Sequence, residues 1–531
     1  MFISHVPLYP ERHNHNRGIG EHHLSQIKAE NLTFSYDGSA DEVFNGISFN
    51  MDSAWKLGFI ARNGKGKTTL LNLLMGRYDH GGSIVSNVSF DYFPYAVDPE
   101  DLESTADQLI GKWKAGVENW QVMIELNAIG VDTGLLYRPF HSLSHGERTR
   151  IMLAVLFASD NEFLLIDEPT NHLDQEAREC VKKYLSSKKG FMLVSHDRDL
   201  LDAVCDHVLV MNRKTVEIQA GNFSSWWENK EKSDAFALAE NEKHMKEIKK
   251  LKASADRSSR WAEKSESSKI GFDPLKETDR SISTRSYIGA KTKKMQARVK
   301  SYEKRIDREI GEKEGLLQDL ETVSDLKICP LIYHKEVLIE AADLSLHYEE
   351  GRELFSRLNF KLRRGDRIAL NGPNGCGKSS IIKAVLNDPK DTHPVISGTL
   401  NVSSGLVISY IDQDTSFLKG ALKDYCESSG LDRSLFLTVL RQLDLGREQF
   451  VKNMEDFSEG QKKKVLIASS LLTKAHLYIW DEPLNYIDVF SRMQIEKLIT
   501  NSSPTMLFVE HDKRFQEKIA TETINLFSFM C

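Results

Sequence analysis

Four short motifs occur twice in this 531-residue chain, in the same order and at nearly the same spacing, and no other feature limits its architecture as much. Ala61-Arg-Asn-Gly-Lys-Gly-Lys-Thr68 answers Gly372-Pro-Asn-Gly-Cys-Gly-Lys-Ser379, and Leu143-Ser-His-Gly-Glu147 answers Phe457-Ser-Glu-Gly-Gln461. Leu164-Leu-Ile-Asp-Glu-Pro169 answers Leu477-Tyr-Ile-Trp-Asp-Glu-Pro483, and Val194-Ser-His-Asp197 answers Val509-Glu-His-Asp512. Lys67 precedes Ser144 by 77 residues and Lys378 precedes Ser458 by 80. The interval to Glu168 or Glu482 is 24 residues in both halves, and the next, to His196 or His511, is 28 and 29. An offset of 311 residues is far longer than the roughly 20–50 of stacked repeats, so a whole domain is duplicated in tandem.

With 40% hydrophobic and 28% charged residues, the chain can bury two sizeable cores. No apolar run approaches the roughly 18 residues of a membrane span. The N-terminus has no basic start followed by a long apolar stretch. The expectation is a cytoplasmic protein with no membrane domain. Cys180, Cys205, Cys329, Cys376, Cys426 and Cys531 include no C-x-x-C pair, so neither a zinc site nor a disulfide framework is read. They are expected to be buried thiols. Cys376 is the exception in position, since it lies in a glycine-rich loop where a helix N-terminus would favour a thiolate.

The glycine-rich segments follow apolar strand patterns, Leu57-Gly-Phe-Ile60 and Arg367-Ile-Ala-Leu370, and precede helical ones. In that context backbone N–H groups cradle phosphates, Lys67 and Lys378 reach the β/γ-phosphates, and the hydroxyls of Thr68 and Ser379 bind Mg²⁺. Asp167 and Asp481 end strands, where they can organise Mg²⁺, while Glu168 and Glu482 can polarise an attacking water. His196 and His511 follow at fixed distance, placed for the γ-phosphate. One such histidine would be read as structural; two at equivalent positions point to ATP hydrolysis.

Between the copies the composition changes. Lys243 to Arg308 carries 20 Lys and Arg against 9 Asp and Glu, a net of +11 in a chain of net −7. Trp226–Ala262 lacks Pro and Gly and reads as one helix, about 55 Å at 1.5 Å per residue. Gly271 and Asp273-Pro274 break the pattern within Ser268–Ile288, and a second helical pattern runs from Gly289 to Val323. The seven-residue pairs Met295/Tyr302 and Val299/Ile306 suit two packed helices. The connector is expected to be a helical hairpin with a basic tip.

These motifs resemble the ATP-binding cassette family, whose Ser-x-Gly-Glu/Gln signature other phosphate-loop ATPases lack. The resemblance implies an α/β fold of two ABC-type nucleotide-binding domains, residues 26–222 and 335–531, joined by a long α-helical hairpin over 223–334 after an extension, 1–25. It implies an intramolecular sandwich within a monomer, each ATP lying between one copy's loop and the other's signature. One site would combine Lys67, Glu168 and His196 with Ser458 and Gly460. The other would combine Lys378, Glu482 and His511 with Ser144 and Gly146. Further nucleotide contacts fall on Asn63, Gly64, Gly66, Thr69, Glu147, Asn374, Gly375, Gly377, Ser380 and Gln461. Tyr36 and Tyr348 match the adenine-stacking aromatic, and Gln413 matches the lid glutamine, adding a fifth Mg²⁺ position to Thr68, Asp167, Ser379 and Asp481. Three departures predict unequal sites: Ala61 replaces the first loop glycine, Tyr95 stands where the lid glutamine belongs, and His145 replaces the second signature glycine.

Two cassettes without membrane spans, joined by a basic hairpin, resemble the ABC-F family of ribosome-associated ATPases across about Gln26–Cys531. Trp480-Asp-Glu-Pro-Leu-Asn-Tyr-Ile-Asp488 and the Tyr92-Phe-Pro-Tyr95 segment look most like its antibiotic-resistance members of Lsa and Vga type. The resemblance implies binding at the tRNA exit site of the bacterial ribosome, beside peptidyl-tRNA and large-subunit rRNA. Lys291, Lys293, Lys294 and Arg298 are candidate RNA contacts, and Trp261, Phe272 and Tyr287 can stack on bases or pack. Ribosome protection from lincosamides, pleuromutilins or streptogramin A is the leading expectation. A housekeeping translation or assembly factor is the alternative, followed by the fused ATPase of a membrane importer, which the long basic connector opposes. His5, His13, His15, His22 and His23 of the extension are read as part of a flexible tail rather than as metal ligands.

Overall fold

The computed structural model describes residues 26–36, 42–159, 162–171, 173–211, 216–267, 297, 300–302, 304–306, 308, 328, 330–347, 353–387 and 395–526. Its contacts divide the chain into one unit of Met1–Phe223 with Leu326–Cys531, and a second of Ser224–Asp325.

Short, continuously apolar runs form the centre of each cassette, as parallel strands covered by helices on both faces require. In the first, a six-stranded sheet has the spatial order Ser89–Phe93, Glu162–Asp167, Phe191–Val194, Lys56–Ala61, His207–Met211, Val216–Ala220, parallel except for the last pair. The second has Ile408–Ile411, Leu477–Asp481, Met506–Val509, Arg367–Asn371 and Glu522–Asn525, all parallel. The strand before the glycine-rich loop therefore lies beside the strand before the histidine, and that one beside the strand ending in the acidic pair. All three chemical segments emerge at the carboxyl edge of one sheet, where open α/β sheets bind ligands.

Each cassette begins with an antiparallel three-stranded sheet. Gln26–Ser35 lies between Glu42–Asp52 and Gly81–Ser86, and Val337–His347 lies between Glu353–Arg363 and Val395–Val402. Gln26–Ser35 alternates, burying Ile27, Ala29, Leu32 and Phe34. The alternation is reset at Asn31, whose φ of 49° inserts a bulge; Asp343, φ 50°, does the same in the second cassette. Asn and Asp suit these places because their short polar side chains tolerate left-handed backbone.

Between the cassettes lies a cluster of buried ion pairs. Arg198 opens the helix Arg198–Val204 and donates to both carboxylate oxygens of Glu496 on the helix Val489–Ser502, Nη1 reaching Oε2 at 3.2 Å. Their side chains are 6% and 0% exposed. Asp512 lies 3.9 Å from Arg198 and accepts from Arg492 at 3.0 Å, while Lys518 donates to Glu496 at 3.1 Å. Beside this cluster Arg514 pairs with Asp202 and approaches Asp199 at 3.6 Å.

The second unit, taken by itself, is built on one helix of 45 residues, Phe223–Ser267. It is longer at both ends than the composition indicated, and at 1.5 Å per residue measures about 68 Å. Residues 297, 300–302, 304–306 and 308 are also helical. Tyr302 and Ile306 pack against Ile248 and Leu251, and the Ser254 and Tyr302 hydroxyls are 3.2 Å apart, so two helices lie against each other. Met295 and Val299 lie outside the described residues. The chain rejoins the cassettes earlier than 334: Ile328 packs in the second cassette's core, and Tyr333 is buried with its hydroxyl donating to Ser404 O at 2.6 Å. Among the described residues no helix is long and apolar enough to cross a membrane.

Glu496→Ala would leave Arg198 buried without its carboxylate and is expected to cost about 3–5 kcal/mol in chemical denaturation, whereas the paired change Arg198→Met with Glu496→Leu recovers much of the loss. An unperturbed single variant would mean that the cassettes do not depend on this contact.

Candidate active site

Each glycine-rich loop ends in a helix that no side chain caps. Gly66 (φ 88°) and Gly377 (φ 102°) precede the helices Lys67–Leu74 and Lys378–Leu386, leaving their first N–H groups for an anion. A Cβ at Gly66 would come within 2.7 Å of Val43, and one at Gly377 within 3.1 Å of Phe355. Gly64 (φ 75°) and Gly375 (φ 80°) supply the preceding left-handed turns. Thr69 and Ser380 are buried one turn in, while Asn374 sits exposed at the crown of its loop.

Ala61, which replaces the first loop glycine, has no left-handed backbone to accommodate. It closes the strand Lys56–Ala61 in register with Met211. At the matching Gly372 (φ 155°) a Cβ would strike Cys376 Sγ at 2.6 Å. The first loop has Lys65 in place of that cysteine, so the clash does not arise. Cys376 itself is buried, which pushes its thiol up rather than favouring a thiolate. Cys180, Cys205 and Cys426 are also free thiols, the latter two buried; Cys329 and Cys531 lie outside the described residues.

The two lysines are held differently. Lys67 Nζ contacts Ala61 O and Asn63 Oδ1, each at 3.1 Å, and His196 Nε2 at 3.0 Å. Burial lowers its pKa, opposed by Glu168. Lys378 Nζ donates to Gly372 O at 2.8 Å and Pro373 O at 3.0 Å.

The acidic pairs differ more. Glu168 and Glu482 both adopt left-handed backbone, φ 51° and 47°. Glu482 is surrounded by donors: Gln413 Nε2 at 3.0 Å, Asn485 Nδ2 at 2.8 Å, and His511 Nε2 within 3.4 Å. Burial disfavours its charge, but His511 and Lys378 outweigh that and hold its pKa below the usual value. Glu168 has His196 3.2 Å from Oε1, without the alignment of a hydrogen bond, and the His196 N–H 3.4 Å from Oε2. Burial dominates and raises its pKa, and burial with the nearby Lys67 charge lowers that of His196 well below the usual value.

Asp481 Oδ1 is buried without a donor, and burial pushes the carboxyl up to about 6. Asp167, also raised by burial, accepts at Oδ2 from Thr68 Oγ1 (3.3 Å) and Tyr92 OH (3.2 Å). An under-compensated buried carboxylate beside a hydroxyl and a lid amide is a donor set that fits a hard divalent cation sharing substrate phosphates. A cavity of about 500 Å³ opens here, lined by Ser379, Ser380, Lys383, Tyr410, Gln413 and Asp481 among others. Among the described residues no group of three or more His, Cys, Asp or Glu forms a cation site made of protein alone.

The signature serines are N-caps. Ser144 accepts from Glu147 N at 3.3 Å while its own N–H donates to Glu147 Oε2 at 2.7 Å, and Ser458 with Gln461 repeats this at 3.3 and 3.0 Å. The motif is a capping box that fixes a helix N-terminus. A Cβ at Gly460 would lie 2.6 Å from Tyr486 O of its own cassette and 3.4 Å from Asn63 Nδ2 of the opposite one, which donates to that same carbonyl at 2.7 Å. The first loop and the second signature are thus brought together. Gly146 has only ordinary room beside Ala177 and Leu173 of its own cassette. His145 is exposed at the start of its helix, where the second copy has Glu459.

Tyr36 is 44% exposed beside the first loop, its hydroxyl 2.7 Å from Thr69 Oγ1. Tyr348 lies outside the described residues, as do Phe272, Tyr287, Lys291, Lys293, Lys294, Arg298 and the five histidines of the extension; Trp261 is helical, and its side chain is outside them. Tyr92, Asn485 and Tyr486 were missed by sequence reasoning. Asn485 carries a faint signal, three residues after Glu482 in a segment already noted.

The ABC transporter family model matches residues 44–171 and 355–485. The ribosome protection protein VmlR of Bacillus subtilis is 28% identical over 490 residues, 91% of this chain and 84% of that protein. The ATP-binding protein Uup of Caulobacter vibrioides is 25% identical over 509 residues, 92% and 75%. In fold, the archaeal ribosome recycling factor aABCE1, solved with the ribosomal stalk protein aP1, superposes with a TM-score of 0.59 at 17% identity, covering 93% of this chain and 87% of that one. The chain thus carries two ABC-type cassettes in tandem, and across most of its length it is similar to tandem-cassette ATPases of the ABC-F kind. Its cassettes bind ATP, and it is an ATP hydrolase.

The sequence reading makes Glu168 and Glu482 the two candidate bases, which leaves Glu168 alone in Glu482→Gln protein and Glu482 alone in Glu168→Gln protein. Because burial raises the first carboxyl while His511 holds the second down, the acid limb of the pH–rate profile is expected at higher pH for Glu482→Gln. Superimposable limbs would show that the two environments are equivalent.

Proposed function

We propose that this ATPase binds the bacterial ribosome in the cytoplasm and protects it from antibiotics of the large subunit. The observation that carries the reading is similarity to a ribosome protection protein over 91% of the chain, combined with a stretch of net +11, Lys243 to Arg308, within the connector between the cassettes. In this reading the protein enters the tRNA exit site as a monomer with its cassettes closed on ATP. The connector reaches toward the peptidyl-transferase centre, where Lys291, Lys293, Lys294 and Arg298 meet RNA phosphates, and bound lincosamide, pleuromutilin or streptogramin A is lost.

Hydrolysis then releases the protein. Lys67 and Lys378 exchange their carbonyl partners for β/γ-phosphate oxygens. Glu168 and Glu482 take a proton from the attacking water, and His196 and His511 hold the γ-phosphate. Asn63, Thr69 and Gly64, with Asn374, Ser380 and Gly375, complete the phosphate cradles. Ser458, Gly460 and Gln461 close the first site, and Ser144, Gly146 and Glu147 the second, presenting capped helix N-termini to the phosphates. Tyr36 and Tyr348 stack on adenine. Thr68 with Asp167, and Ser379 with Asp481 and Gln413, would hold Mg²⁺, which neutralises phosphate charge when bound.

The test is bacterial cell-free translation inhibited by each drug class, with and without protein and ATP. Dose-dependent rescue is expected, with Glu168→Gln/Glu482→Gln protein remaining on the ribosome and failing to rescue. Replacing the four connector cations by Glu is expected to abolish co-sedimentation with ribosomes while ATP binding persists, and binding of the wild type should fall steeply with salt. ATP-dependent ribosome binding without rescue would instead support a housekeeping translation factor.

A further inference from the structure

The lid position of the second cassette reaches its site, with Gln413 donating to Glu482 at 3.0 Å. The same position in the first cassette, two residues beyond the strand Ser89–Phe93, is Tyr95, and it turns away. Its hydroxyl donates to Asp91 Oδ2 at 2.7 Å, and its ring stacks on Trp113 at 5.4 Å. Asp91 is fixed in turn by Lys114, 8% exposed, whose Nζ lies 2.9 Å from Asp91 Oδ2, 2.6 Å from Glu162 Oε2 and 2.8 Å from Leu156 O. A buried ammonium satisfied by three oxygens is costly to disturb, so this segment is clamped to the body of the cassette.

The neighbouring aromatic on the same strand does enter the site. Tyr92, paired with Leu165 in the sheet, donates its hydroxyl to Asp167 Oδ2 at 3.2 Å, sharing that oxygen with Thr68 Oγ1. Arg77 lies over its ring at 5.2 Å. No sequence motif assigned Tyr92 a role.

We propose that Tyr92 is the positioning residue of the first site, orienting the cation-binding carboxylate of Asp167 in a cassette whose own lid is clamped away from the nucleotide. The proposal rests on the assignment of Asp167 to the cation. A group that orients a ligand from behind typically sets metal affinity by about 10–100-fold. The first site consequently keeps its nucleotide through Tyr92 and the loop, with no lid contact to report on Glu168, while the lid-coupled second site responds to the state of Glu482.

The test uses full-length Lys378→Ala protein, in which only the first loop keeps its lysine, and follows retention of mant-ATP as Mg²⁺ is titrated. Adding Tyr92→Phe, which removes one oxygen and keeps the ring, is expected to raise the half-saturating Mg²⁺ by about tenfold or more. Adding Tyr95→Phe, which removes the phenol three residues on, leaves it unchanged. Equal Mg²⁺ dependence with and without the Tyr92 hydroxyl, in protein of unchanged thermal stability, would overturn the proposal. Retention that ignores Mg²⁺ before Tyr92 is altered would overturn the cation assignment, and the proposal with it.

Discussion

A guanidinium removed from water must be met by carboxylate, and that requirement at Arg198 holds the two halves of this chain against each other. Its bidentate pairing with Glu496, reinforced by Asp512, Arg492 and Lys518, is buried. It begins two residues beyond His196, so the segment carrying that histidine is tied to the partner cassette. The hydrogen bond from Asn63 to Tyr486 O extends the same contact into the first loop.

The catalytic groups are arranged by general features of open α/β sheets. Three adjacent parallel strands deliver lysine, histidine and the acidic pair to one edge, and a bare helix N-terminus completes the anion site in each cassette. The asymmetry is confined to what surrounds the glutamates. Around Glu482, amide and imidazole donors compensate the charge; around Glu168, burial goes largely unanswered and its Oε1 has no donor. Two active sites of the same ancestry therefore present differently tuned bases.

The repeat, the loops and the acidic pairs were legible in the sequence because their chemistry requires particular residues at short spacing. The end of the long helix was readable only approximately, since Glu-, Lys- and Ala-rich sequence continues without a stop signal to Ser267. Other features depend on contacts that no local pattern encodes. Arg198 and Glu496 are 298 residues apart. Tyr92 and Tyr95 are identical side chains in one short segment, and which one enters the site is decided by strand register and by the distant Lys114. Nor does local pattern show why the two loops differ at their first position: at Gly372 both the φ of 155° and the thiol of Cys376 exclude a side chain, while Ala61 lies in ordinary strand backbone in a loop with no such thiol.

The Arg198–Glu496 pair has no mirror image. The positions related to it by the internal repeat are Lys513, which lies beside Glu517, and Lys182, which pairs with Glu179 and Asp199. If the first cassettes of two polypeptides met in the geometry used within one, Arg198 of each would face Lys182 of the other, and like charges would oppose the union. The charges at this contact therefore favour joining a first cassette to a second over joining two first cassettes.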